Sequence, residues 1–182
     1  MKKAEIKDLL KQAIEPHKIC RVFLKYDAYC RYYFPLIVGE RLFLVTEEDD
    51  FILNGYSIRR FKDVEKVEIK NDKCLEIIYA EGLLENLVAP SVDITDWETA
   101  LSSLQKVGKN IIIEKESLDE DETEFAIGRV IKVLKNKVLL KAFDADGIWG
   151  DQLQEISFPQ ITSITFASRY VEVFSKYLPP IL

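Results

Sequence analysis

A chain of 182 residues with 48% hydrophobic side chains is long enough to bury one core or two small ones, and this composition excludes disordered and fibrous classes. The formal net charge of −6 is uneven: residues 1–90 carry −1 and residues 91–182 carry −5. Nucleic acid therefore ranks below protein as the expected partner, since lysine and arginine contacts to phosphate supply most non-specific affinity.

No apolar run approaches the ~20 residues that span a bilayer, and Met1-Lys2-Lys3 runs straight into Glu5, Lys7 and Asp8 with no apolar signal region. The expectation is a soluble, cytoplasmic chain without a membrane partner. Cys20, Cys30 and Cys74 are odd in number and lack metal-type spacing, which fits reduced thiols; a Cys20–Cys30 bridge is the alternative.

Residues 3–15 place Ile6, Leu9, Leu10, Ala13 and Ile14 on one helical stripe, with Pro16 just beyond. That stripe must be buried, so the helix is expected to lid the β-structure C-terminal to it. Residues Ile19–Tyr26, Tyr32–Val38 and Arg41–Thr46 read as strands. Glu47–Asp50 reads as a turn, Phe51–Leu53 as a return strand and Asn54-Gly55 as a second tight turn, because both residues tolerate positive φ. Tyr56–Phe61 and Val64–Lys70 are strands joined by Lys62-Asp63, and alternation of Leu75, Ile77 and Tyr79 predicts a final strand.

A connector over residues 81–94 contains Ala89-Pro90-Ser91, the expected domain boundary, giving domains 1–90 and 91–182. Thr95-x-x-Glu98 has the form of a capping box for a second helix with Trp97, Leu101, Leu104 and Val107 on its stripe and Gly108 at its end. Asn110–Ile113 is a strand, and residues 114–124 hold seven acids against Lys115, an acidic insert whose middle reads as a mobile loop. Ala126–Leu134, Val138–Phe143 and Ile148-Trp149 continue the second strand set, with Asp144–Gly147 at a turn. Tyr170–Leu178 fits a helix better than a strand, and Pro179-Pro180 stops it.

The chain repeats itself. Phe61, Val64, Val67 and Ile69 form F-x-x-V-x-x-V-x-I, which returns 97 residues later as Phe158, Ile161, Ile164 and Phe166. Gly128-Arg129-Val130 is matched to Cys20-Arg21-Val22, with the extra separation assigned to the acidic insert. The expected fold class is therefore α+β and β-rich, with two helix-plus-small-barrel repeats. A helix followed by a short-stranded barrel, with two strands meeting across Phe61-Lys62-Asp63-Val64, resembles the Sm-like or SH3-like small barrel in shape over residues 3–80. Residues 36–69 also resemble the barrel of WYL-type regulators through Arg59-Arg60-Phe61; the Trp-Tyr-Leu tripeptide is absent, and no ligand role is carried over.

No residue is assigned a catalytic, metal or cofactor role. His17 is the lone histidine and follows a helix-ending proline, a surface or capping position. Asp144-x-Asp146-Gly147 with Glu155 places glycine at the wrong step for a calcium loop and reads as a β-turn. Arg59, Arg60 and Lys62 beside Tyr56 form the densest basic and aromatic group, suited to stacking on bases or clasping a carboxylate. The simpler reading has Arg59 facing solvent and Arg60 paired to Glu65 or Glu68. Tyr26, Tyr29, Tyr32 and Tyr33 form a second aromatic cluster, and Tyr32, Tyr33 and Trp149 complete the candidate binding set.

Three functions are expected, in this order: a non-catalytic interaction module for a protein or peptide, a basic one by charge; an RNA-binding Sm-like regulator using Arg59, Arg60 and Lys62; and an enzyme with its site between the repeats. Homo-oligomerisation stays open.

Overall fold

The computed structural model describes residues 1–181, and for Glu120 the backbone alone. The chain is α+β and β-rich, and it divides into two compact units, Met1–Pro90 and Ser91–Leu182.

In the first unit α1 (Lys3–Ile14) buries Ile6, Leu10 and Ala13, the positions that helical spacing places on one side. Five strands follow: β1 (Cys20–Leu24), β2 (Arg31–Val38), β3 (Leu42–Asp49), β4 (Ile52–Arg60) and, after a single 3-10 turn at Phe61–Asp63, β5 (Val64–Ile69). They pair antiparallel in the order β5-β1-β2-β3-β4. Cys20, Val22 and Leu24 alternate inward and meet Phe43, Val45, Val67 and the α1 stripe in one core. Phe34 packs a second core with Ile19, Leu75, Ile78 and Leu84.

Leu75, Ile77 and Tyr79 do not form a strand. Residues Lys73–Ala80 are a helix, α2, because the Asp72 carboxylate accepts the Leu75 amide (3.4 Å), and Leu75 and Ile78 bury together at helical spacing. Asn54-Gly55 does not turn the chain either. The hairpin turn lies at Asp50-Phe51, both at positive φ, and β4 runs on through Asn54-Gly55. Thr46 pairs with Tyr56 and Glu48 with Leu53, so one extra residue of β4 is accommodated as a bulge, with Gly55 at φ +68° and its carbonyl accepting the Thr46 hydroxyl at 2.6 Å. Strand β3 thus continues through most of the expected Glu47–Asp50 turn, as far as Asp49.

The second unit repeats this order. It contains α3 (Trp97–Val107), β6 (Asn110–Lys115), β7 (Glu124–Val133), β8 (Lys137–Ala142), β9 (Gln154–Ser157), a 3-10 turn at Phe158–Gln160, β10 (Ser163–Phe166) and α4 (Arg169–Ser175). The strands run β10-β6-β7-β8-β9. The cap of α3 is Asp96, one residue later than the Thr95 box: Asp96 accepts the Thr99 amide at 2.9 Å and Thr99 returns the bond. Thr95 is occupied by Asp93. Glu114 and Lys115 belong to β6 and Glu124 to β7, which confines the acidic loop to residues 116–123. Ile148-Trp149 is no strand; Trp149 makes one isolated bridge to Phe143.

Register corrects one equivalence. Cys20 pairs with Ile69 and Tyr33, and Ile111 pairs with Phe166 and Gly128. Gly128 therefore stands where Tyr33 stands, not Cys20, and both second strands carry a bulge just beyond, at Pro35/Ile37 and Val130/Lys132. A Cβ on Gly128 would lie 2.0 Å from the Lys141 carbonyl oxygen, so no larger residue fits that close strand approach.

Candidate functional site

The 3-10 turn of the first unit is fixed by Phe61, whose ring is buried 4.9 Å from that of Phe43. With Phe61 anchored, Lys62 is exposed and Asp63 is buried, its side chain 4% exposed. The Asp63 carboxylate accepts from Arg60 Nε, from Lys25 Nζ at 2.8 Å and from the Tyr26 hydroxyl at 3.2 Å. Arg60 also donates to Tyr26 at 3.4 Å. A buried carboxylate is tolerated when its lone pairs are met in this way. Arg60 accordingly pairs with Asp63 and not with Glu65 or Glu68, because the one-turn link folds residue 63 back under residue 60.

The Asp63 hydrogen bond, then that of Tyr26, raises the Lys25 pKa, while partial desolvation and the neighbouring Arg60 cation lower that of Lys62. Three cations thus surround one carboxylate, with Lys25 and Lys62 reaching solvent.

Arg59 does not face solvent. It is 3% exposed, with its guanidinium carbon 5.9 Å from the centre of the Tyr33 ring. Tyr33 is fully buried, and burial pushes its phenol pKa up against the opposing Arg59 cation. Close by, Arg31 is gripped by both oxygens of Asp27 at 2.6 and 3.2 Å. Neither Arg59 nor Tyr33 offers a face to a base.

The remaining candidates separate. Tyr32 accepts from Arg21 Nε at 3.2 Å on the outer side of β1, and Tyr56 donates to the Val88 carbonyl at 3.1 Å. Trp149 lies in the second unit, edge-on to Phe143 and donating to the Pro179 carbonyl at 2.8 Å. Residues Arg60 and Lys62 meet at one turn, Arg59 and Tyr33 form a buried pair, and the others are apart.

All three cysteines are free thiols. Asp144 Oδ1 accepts the amides of Asp146 and Ile148, as a β-turn aspartate does. Among the described residues no group of three or more metal-ligating side chains converges, and no helix is long and apolar enough to cross a membrane.

The equivalent region of the second unit is open. Register places Ile156 where Arg59 stands and Gln160 where Asp63 stands. The loop from Lys25 to Cys30 is replaced there by the acidic loop between β6 and β7. A shallow open groove of about 50 Å³ results, lined by Ile113, Glu114, Glu124, Phe125, Glu155 and Ile156 among others. Phe125 on its wall is 69% exposed. Sequence reading passes over this groove; its one signal is Phe125, a large apolar side chain closing an acidic run.

No protein-family model matches the chain, and neither a curated protein nor a solved structure is similar to it.

Proposed function

We propose that this chain is a non-catalytic protein-interaction module of two helix-plus-small-barrel repeats, Sm-like or SH3-like in type, which receives an extended segment of its partner at the edge of β9. The barrel reading is supported in each unit by a leading helix, five antiparallel strands and a one-turn link between the fourth and fifth. The binding reading rests on one observation: β9 ends its strand order, paired to β8 along one side, and a groove with an exposed phenylalanine lies beside it. A strand so placed turns half its backbone groups outward, ready to pair with an added strand. In the first unit the end strand β5 differs: the Met1 amino group donates to the Glu65 carbonyl at 2.8 Å and Met1 Sδ accepts from Val67 N–H at 3.4 Å.

Replacing Glu155 by proline removes a β9 amide and obstructs an incoming strand. Capture of partners from nuclease-treated lysate should be lost in Glu155→Pro while far-ultraviolet dichroism is unchanged. Capture equal to that of the native chain overturns the β9 reading. Nucleic acid recovered without nuclease in a salt-sensitive way would instead favour the RNA reading, through Lys25 and Lys62.

A further inference from the structure

The groove's own charge specifies what it would take. Its carboxylates are Glu114, Glu124 and Glu155, and its one cation, Lys115, is 3.2 Å from Glu124. Glu155 is held by Lys137 at 2.6 Å, outside the groove. The Glu124 and Glu155 side chains are 67% and 60% exposed, so both ion pairs are surface pairs that an incoming cation can replace at little cost. The loop between β6 and β7, which joins Lys115 to Glu124, carries Asp119, Asp121 and Glu122. Between the carboxylates, Ile113, Phe125 and Ile156 offer apolar contact. An added strand presents alternate side chains to one face.

From this placement we propose that the occupant of the β9 edge is a basic extended peptide segment that carries lysine or arginine together with apolar residues. Register puts Glu124 with Ile156 on one face of the sheet and Phe125 with Glu155 on the other, so each face offers an added strand one carboxylate and one apolar contact. This inference rests on the edge-addition reading and adds the partner's chemistry to it. Charge complementarity of this kind sets partner choice and association rate. The same field repels phosphate backbones.

The test uses the full chain and short synthetic peptides alternating valine with lysine, serine or glutamate, plus a lysine–glycine peptide of equal charge, followed by amide chemical shifts. The lysine–valine peptide should shift the Gln154–Ser157 amides and bind about tenfold tighter than the serine–valine peptide. The Glu124→Lys, Glu155→Lys double variant, with its thermal midpoint checked, should reverse the preference towards glutamate–valine.

Equal binding of the serine and lysine peptides at β9 would overturn the charge proposal and leave edge addition standing. Failure of every peptide to perturb β9 would overturn edge addition itself. Lysine–glycine binding as well as lysine–valine, with shifts spread over the chain, would show unspecific charge attraction and overturn the proposal.

Discussion

The Asp63 carboxylate holds Arg60, Lys25 and Tyr26 together while almost wholly shielded from water. Removing it breaks the buried Arg60–Asp63 pair from one side, which costs about 3–5 kcal/mol. Asp63→Ala should therefore lower the urea midpoint strongly, whereas Lys62→Ala, at an exposed position, should stay within about 0.5 kcal/mol. Similar losses in the two variants would mean that the turn is not organised around Asp63. Cys20 makes a second residue-scale prediction. Burial pushes its thiol from 9.0 up to about 12, so the folded chain keeps a proton that the unfolded chain releases above pH 9.0. The unfolded state then binds fewer protons, and stability falls as pH rises from 9 towards 12, by up to about 1.4 kcal/mol per pH unit. Tyr33 and Lys25, both raised, act in the same direction but from the higher unfolded values of 10.0 and 10.5, while Cys74, also raised by desolvation, starts with Cys20. Urea midpoints at about pH 8, 9 and 10 should fall for the native chain and flatten in Cys20→Val; an unchanged slope would place the effect elsewhere. Composition showed that Arg59 and Arg60 were concentrated, yet not where they pointed. Orientation depended on the bulge in β4 and on Asp63 folding back under Arg60, both set by pairing with distant strands.

At the scale of elements, α3 shows how a local signal can be right in kind and displaced in position. Thr95 and Asp96 are both good caps, and Thr95 with Glu98 spells a capping box as well as Asp96 with Thr99 does. Asp93 decides between them by accepting both the amide and the hydroxyl of Thr95 at 2.9 and 2.7 Å, which leaves Asp96 to receive the helix. Asp96→Ala should consequently cost about 1 kcal/mol in thermal or urea unfolding, and Thr95→Ala clearly less. A larger loss at Thr95 would return the cap to it. The same competition between local signals explains Asn54-Gly55, where tolerance of positive φ was legible but served a bulge, since the turn had already been made at Asp50-Phe51. In α2, the apolar residues Leu75, Ile77 and Tyr79 satisfy a strand's alternation, while Leu75 with Ile78 satisfies a helix. The burial of that second pair against Phe34 and Ile19 settles the matter, and no local pattern contains it.

Across the whole molecule, the recurrence of Phe61–Ile69 as Phe158–Phe166 was visible because those residues flank the one-turn link in each unit, with Val64 and Val67 buried in the first and Ile161, Ile164 and Phe166 in the second. Earlier strands have diverged so far, Tyr33 against Gly128 for one, that only register aligns them. Common register has a measurable consequence in amide exchange. In both units the third strand of the order, β2 or β7, is paired on both sides, and it should hold the slowest amides, with Phe34 and Ile127 among them. Strand β9 is short and lies at the end of its order, so its amides should exchange at least about tenfold faster than those of β7. Sequence similarity does not enter this expectation; only position in the order does. Exchange in β9 as slow as in β7 would mean that something already covers that edge in solution, such as a second copy, and would remove the open strand on which peptide addition depends. Fast exchange that becomes slow when the lysine–valine peptide is added would locate binding at the backbone of β9, because a side-chain contact alone leaves outward amides open to water.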